Sequence, residues 1–149
     1  MMEVISLSEF WDSELQDPSG IRKEKPRFTG KTMVIDKGMG IRSFEDLLET
    51  ASAYIDMIKI GFGTSPLYPV ELLQRKIQLA SNHQIDILPG GTFLEVAVGK
   101  NKVDAYFSKV LELGFTAIEV SDGTLEISRS LRNRLIMEGI NRGLTVYTE

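Results

Sequence analysis

From Lys31 onward, short apolar runs alternate with longer stretches whose apolar residues recur every three or four positions. The runs are KTMVID (31–36), DMIKIGF (56–62), IDILP (85–89), FTAIEV (115–120) and LTVYTE (144–149). Their length, their β-branched content and the glycines that follow several of them predict strands. Between them, Phe44, Leu47, Leu48, Ala51 and Ile55 share a helical face, as do Val70, Leu73, Ile77 and Ala80. Val103, Tyr106, Phe107, Val110 and Leu111 form a third face, and Leu131, Leu135, Ile136 and Ile140 a fourth. End signals agree with this reading. Ser43 with Asp46 has capping-box spacing, Pro69 suits a first helical turn, Gly114 suits a C-terminal cap, and Ser128 suits an N-cap.

The predicted order is β-α-β-α-β-α-β-α-β, which implies right-handed crossovers and a parallel sheet. Two architectures compete. A doubly wound sheet fits into 149 residues, whereas a TIM (β/α)8 barrel typically needs about 250. Side-chain parity favours the barrel, with this chain covering about its first five β/α units. Residues alternate between the two faces of a strand. If Ile58 and Ile60 meet the helices, Lys59 points inward. If Ile118 and Val120 pack outward, Glu119 and Ser121 lie inside. Leu144 and Val146 outward leave Tyr147 and Glu149 inside, and Met33 and Ile35 outward leave Asp36 inside. The expected cluster is Asp36, Lys59, Glu119 and Glu149 at the C-terminal strand ends. A two-faced open sheet has no room for four such charges, because helices cover both its faces. A barrel mouth does. A purely structural ion pair, for example Lys59 with Glu119, is the competing explanation.

Charge and composition narrow the class. The net charge is -4 with no basic block, against a nucleic-acid partner. There is no cysteine, and the single histidine, His83, follows a helix away from the strand tops. Thiolate zinc sites and histidine-based triads are therefore excluded, and any metal would be held by oxygen, as Mg2+ is. The amino-terminal residues lack a signal-peptide pattern, and no apolar run is long enough for a membrane helix. A soluble cytoplasmic protein is expected. Residues 1–30 read as a leader or lid ahead of one barrel domain at 31–149. Folded over the mouth, the leader's Arg22 and Arg27 would clamp a phosphate, carboxylate or sulfonate.

Three strand-end loops are rich in glycine and hydroxyl groups: GFGTS (61–65), PGGT (89–92) and SDGT (121–124). Free backbone N–H groups in such loops cradle anions. Gly63, Thr64, Ser65, Gly90, Gly91 and Ser121 are accordingly candidate substrate contacts, although glycine after a strand is most often only a turn.

MVIDKG (33–38), IKIGFGTS (58–65), ILPGGTFLE (87–95), FTAIEVSDGT (115–124) and TVYTE (145–149), taken in order, resemble the phosphosulfolactate synthases from about residue 26 to the end. The resemblance implies a TIM-barrel lyase that adds sulfite to C3 of phosphoenolpyruvate, giving (2R)-2-O-phospho-3-sulfolactate. It further implies a Mg2+ requirement and a place in sulfolactate or coenzyme M biosynthesis. On that reading Asp36, Glu119 and Glu149 are the carboxylates available to Mg2+. Lys59 is the candidate proton donor to C2, or else neutralises the substrate carboxylate. Arg22, Arg27 and Lys37 supply positive charge for two anionic substrates, with Lys37 on the opposite strand face from Asp36.

The departure from the family is length. Its members continue past the TE into a glycine-lysine-lysine stretch and on to eight units, so the sequence is expected to be part of a longer protein. The expected partners are small-molecule substrates and further copies of the chain in a homo-oligomer. The alternatives are another Mg2+-dependent phosphoenolpyruvate or aldol-type barrel enzyme, or a non-catalytic half-barrel that binds an anion.

Overall fold

The computed structural model describes residues 11–16 and 22–149. Apart from a helical turn at Ser13–Gln16, its elements alternate as the pattern predicts. They are β1 (Met33–Asp36), α1 (Ile41–Ala51), β2 (Met57–Ile60), α2 (Val70–Asn82) and β3 (Asp86–Pro89). Then come α3 (Gly91–Gly99), α4 (Val103–Leu113), β4 (Ala117–Val120), α5 (Arg129–Asn141) and β5 (Thr145–Thr148). All strand pairs are parallel, with order β1-β2-β3 in one ladder and β4-β5 in another. Thr116 joins the two ladders: its N–H donates to the Ile87 carbonyl at 3.3 Å and its Oγ1 accepts from the Ile87 N–H at 2.9 Å. The five strands therefore stand side by side in chain order. The described residues do not close a barrel.

Helices cover one face. Phe44, Leu48, Ile58, Ile60, Leu73, Ile77, Ile87, Phe107, Ile118 and Val120 form its buried core. The other face carries a smaller cluster of Met57, Leu88 and Ala117, with Tyr147 against it. Local signals explain several boundaries. Ser128 accepts the Leu131 N–H and caps α5. Gly114 ends α4 with φ 90°, a left-handed conformation that costs other residues a steric penalty. The Ser43–Asp46 box does not operate, because α1 is capped three residues earlier, at Gly40. Helix α3 begins inside the PGGT loop and covers residues to which the sequence pattern assigns no element. Gly91, Leu94, Glu95 and Ala97 are buried, but the sequence GTFLEVAVG is apolar nearly all round, so periodicity does not reveal it.

Most of the expected leader or lid lies outside the described residues, but residues 22–30 lie opposite to where it is expected. Arg27 ion-pairs with Asp56 at 3.2 Å and donates to the Ala53 carbonyl at 2.6 Å. Arg22 donates to the Tyr54 carbonyl at 2.7 Å, and Lys25 to the His83 carbonyl at 3.1 Å. Residues 53–56 precede β2 and His83 precedes β3, so these contacts gather at the N-terminal ends of the strands. Residues 22–30 close that end, and Arg22 and Arg27 are structural there rather than a clamp over the mouth. The reason is that carbonyls and a carboxylate at that end offer the guanidinium groups fixed acceptors. Arg27→Ala should cost about 1.5–3 kcal/mol, the value of hydrogen bonds to charged groups. Asp56 keeps the Thr32 N–H at 2.7 Å, which limits the loss. Urea unfolding measures it.

Candidate active site

At the C-terminal strand ends, the open face carries Lys59 from β2 and Glu119 from β4. Lys59 Nζ lies 2.7 Å from Glu119 Oε2 and 2.9 Å from Oε1. Glu149, just past β5 and largely exposed, is 3.9 Å from the same ammonium. Parity thus correctly places these three side chains together. The Glu119 carboxylate has a second partner, the Gly91 N–H at 2.6 Å. Gly91 opens α3, so the carboxylate also sits at the positive end of a helix dipole. A Cβ on Gly91 would overlap both the Ser121 hydroxyl and the Glu119 carboxylate. Only glycine permits this approach.

The floor of this face is polar and fixed. Tyr147 donates to Asp86 Oδ2 at 2.7 Å, and Thr116 Oγ1 lies 3.1 Å from Asp86 Oδ1. Burial first, and then the Asp86 carboxylate, push the Tyr147 hydroxyl pKa well up. It stays protonated and acts as a donor.

Glu95, inside α3, is a functional candidate absent from the sequence reading. It is buried and accepts from Ser121 Oγ at 2.5 Å, the Thr124 N–H at 2.8 Å and the Leu125 N–H at 2.6 Å. Burial alone would raise its carboxyl pKa. The hydrogen bonds from Ser121, Leu125, Thr124 and Gly123 outweigh it and hold the group below its ordinary value. Glu95 thereby fixes the SDGT loop against the start of α3. An acid four residues after Gly91 in an otherwise apolar helix is the signal that could have found it.

The other candidate contacts divide. Gly90, Gly91 and Ser121 border the Lys59–Glu119 pair: a Cβ on Gly90 would meet Lys59 Cε at 3.5 Å. Gly63 and Thr64 form a turn, with the Thr64 N–H donating to the Gly61 carbonyl at 2.9 Å. Ser65 is buried behind the strand ends with no hydrogen-bond partner for its hydroxyl. Lys37 is exposed in the loop after β1.

Asp36 is not on this face. Register pairs Asp36 with Ile60 and Val34 with Ile58, so it faces the helices, while Met33 and Ile35 lie on the open face. The parity error arose because β1 reverses the usual logic. Its apolar residues are half exposed and its acid is fully buried, since α2 brings a buried lysine to meet it. Lys76 Nζ lies 2.6 Å from Asp36 Oδ2 and 2.8 Å from the Tyr68 hydroxyl, and also donates to the Met39 carbonyl. The Gly38 and Met39 N–H groups and the Tyr68 hydroxyl donate to Asp36 Oδ1. With its acceptors taken, Asp36 has a structural environment. Among the described residues, no three potential ligands of the His, Cys, Asp or Glu type converge as a metal cage.

What remains is a cation and two carboxylates at one end of a parallel sheet, beside a helix N-terminus and a braced hydroxyl loop. Such a set of groups is equipped to hold a cation and to exchange a proton. The family model for (2R)-phospho-3-sulfolactate synthase matches residues 20–149. The chain is 41% identical over 128 residues to the phosphosulfolactate synthase of Methanothermobacter thermautotrophicus, covering 86% of this chain and 50% of that protein. It is 38% identical to that of Methanocaldococcus jannaschii (80% and 48% covered) and 38% identical to that of Bacillus subtilis (72% and 42% covered). The chain spans about half the length of these curated relatives. By sequence, strand order and the motifs at its strand ends, the chain belongs to the (2R)-phospho-3-sulfolactate synthase family.

Proposed function

We propose that this chain carries part of an active site that adds sulfite to C3 of phosphoenolpyruvate, giving (2R)-2-O-phospho-3-sulfolactate. The observation that carries it is the Lys59–Glu119 pair, with Glu149 beside it, at the strand ends. In TIM barrels that end holds the catalytic groups. The (β/α)8 barrel belongs to the proposal, as do small anionic substrates, a homo-oligomer, a cytoplasmic location and a role in sulfolactate or coenzyme M biosynthesis.

The sulfur–C3 bond forms as the C2=C3 electron pair moves toward the carboxylate, producing an enolate-like dianion. A proton delivered to C2 completes the addition. Lys59 is the described cation at the site with a proton to give, and Glu119 orients its ammonium. The braced loop at Ser121 and the N–H groups at the start of α3 offer donors to substrate oxygens. Mg2+ sites often use only one or two carboxylates together with substrate oxygens. Glu119 and Glu149 fit that mode and would hold the ion; Asp36, on the other face, would not. Bound there, Mg2+ would neutralise charge developing on the substrate carboxylate.

The test is phosphoenolpyruvate consumption by the purified protein with sulfite and Mg2+, followed by 31P NMR. Loss of substrate to a phosphorylated sulfonate, without phosphate release and only when sulfite and Mg2+ are present, supports the proposal. Phosphate release, or consumption without sulfite, rejects it.

A further inference from the structure

The loop between β4 and α5 is built like an anion site, and its anion comes from within the chain. The N–H groups of Gly123, Thr124 and Leu125 turn to the Glu95 carboxylate, with Thr124 at 2.8 Å and Leu125 at 2.6 Å from Oε2. Consecutive N–H groups aimed at one point form a concavity for negative charge. Oε1 accepts the Ser121 hydroxyl at 2.5 Å, and Glu95 is only 3% exposed. Glu95 also follows Gly91 by four residues, so the two share a face of α3. Together they grip the end of β4. The Gly91 N–H holds Glu119 Oε2, and Glu95 holds Ser121. Ser121 Oγ and Glu119 Oε2 both lie against Gly91. A hydroxyl has one hydrogen to donate. Committed to Glu95, the Ser121 hydrogen cannot turn to Glu119, whose oxygens stay with Lys59 and Gly91.

We infer that Glu95 is a positioning residue: it fills the β4–α5 loop as a built-in anion, draws the Ser121 hydrogen away from Glu119, and so keeps Glu119 aligned with Lys59. Its effect on turnover rests on the reaction proposed above; its place as the loop's anion does not. Glu95 does not meet the reacting atoms itself. It acts through Ser121 and through the start of α3, and a loss of this support displaces the Lys59–Glu119 pair rather than removing a member of it.

Two measurements test this, one of them independent of activity. Glu95→Ala removes a fragment that acetate matches in size and charge. Acetate at millimolar concentration should raise the melting temperature of Glu95→Ala and leave that of the parent unchanged, while acetamide, of the same shape without the charge, should shift neither. The second measurement is sulfite-dependent consumption of phosphoenolpyruvate. Glu95→Gln keeps the shape but turns one oxygen into a donor, so it cannot satisfy Ser121, Thr124 and Leu125 together. Its kcat should fall about 10²-fold, the cost of a small misplacement at a reacting group, with KM for phosphoenolpyruvate nearly unchanged. Glu95→Gln combined with Ser121→Ala should be no slower than the slower single variant, because the two residues act as a unit. A Glu95→Ala melting temperature that acetate does not raise, a Glu95→Gln defect confined to KM, or losses that multiply in the double variant each overturn the inference. A parent that consumes no phosphoenolpyruvate with sulfite rejects the proposed reaction instead, and the acetate shift then decides whether Glu95 is the loop's anion.

Discussion

Lys76→Met should cost the fold about 3–5 kcal/mol, the usual penalty for leaving one partner of a buried ion pair uncompensated. Both Lys76 and Asp36 are fully buried. The ammonium is packed over the Tyr68 ring at 4.1 Å and the Phe44 ring at 5.2 Å, so it contributes packing as well as charge. Adding Asp36→Asn should return much of the loss. Asparagine keeps an oxygen for the Gly38 and Met39 N–H groups but carries no charge to strand. Urea unfolding of both variants is the measurement; a double variant no better than the single one would contradict a charge-based cost. The same pair predicts an acid limb. Burial pushes the Asp36 carboxyl pKa up, but the bonds from Lys76, Gly38, Met39 and Tyr68 outweigh it, and the net shift is downward. Its stabilisation is therefore complete above the unfolded-state value of about 3.9 and is lost as pH falls through the lower folded value. Melting temperature against pH should drop in that range, and less steeply in Lys76→Met.

This pair also marks where sequence reasoning stopped. Parity worked for Lys59, Glu119 and Glu149 because each alternates with larger apolar residues, Ile58, Ile60, Ile118, Val120 and Val146, and helices cover the face that those residues share. It failed for Asp36 because both faces of MVID offer apolar residues, and the choice was made by a lysine forty positions away. Lys76 sits beside Ile77 in the buried stripe of α2, and a lysine there implies a buried acid somewhere. The pattern alone does not say which acid. Arg22 and Arg27 failed for a related reason. A charged, turn-rich segment shows where it can reach but not which end of the sheet offers acceptors, and here carbonyls 53 and 54 and Asp56 lie at the lower end. Glu95 was hidden by its setting, since α3 has no periodic face to announce a helix.

The largest effect on activity is expected from Lys59. Lys59→Ala should lower turnover by about 10²–10⁴-fold, the range for removal of a general acid. Lys59→Arg separates two roles. An arginine preserves the positive charge and can still pair with Glu119, yet its guanidinium does not give up a proton at working pH. If Lys59 protonates C2, Lys59→Arg should bind phosphoenolpyruvate nearly as the parent does but turn it over no faster than Lys59→Ala. If the lysine only neutralises the substrate carboxylate, arginine should restore most of the rate, and the proton donor must be sought elsewhere. Stability controls the comparison. Lys59→Ala leaves the Glu119 carboxylate with the Gly91 N–H as its remaining partner, so some loss of melting temperature accompanies it. Glu119→Gln, by contrast, keeps one acceptor oxygen for the Gly91 N–H and the ammonium, but turns the other oxygen into a donor and removes the nearer counter-charge of Lys59. Its rate should fall less than that of Lys59→Ala, because an orienting group is lost and the proton is not. Rates for the four proteins at saturating sulfite, measured with their melting temperatures, rank the roles directly: a Glu119→Gln defect as deep as Lys59→Ala, with an intact melting temperature, would make the carboxylate and not the lysine the group that matters most.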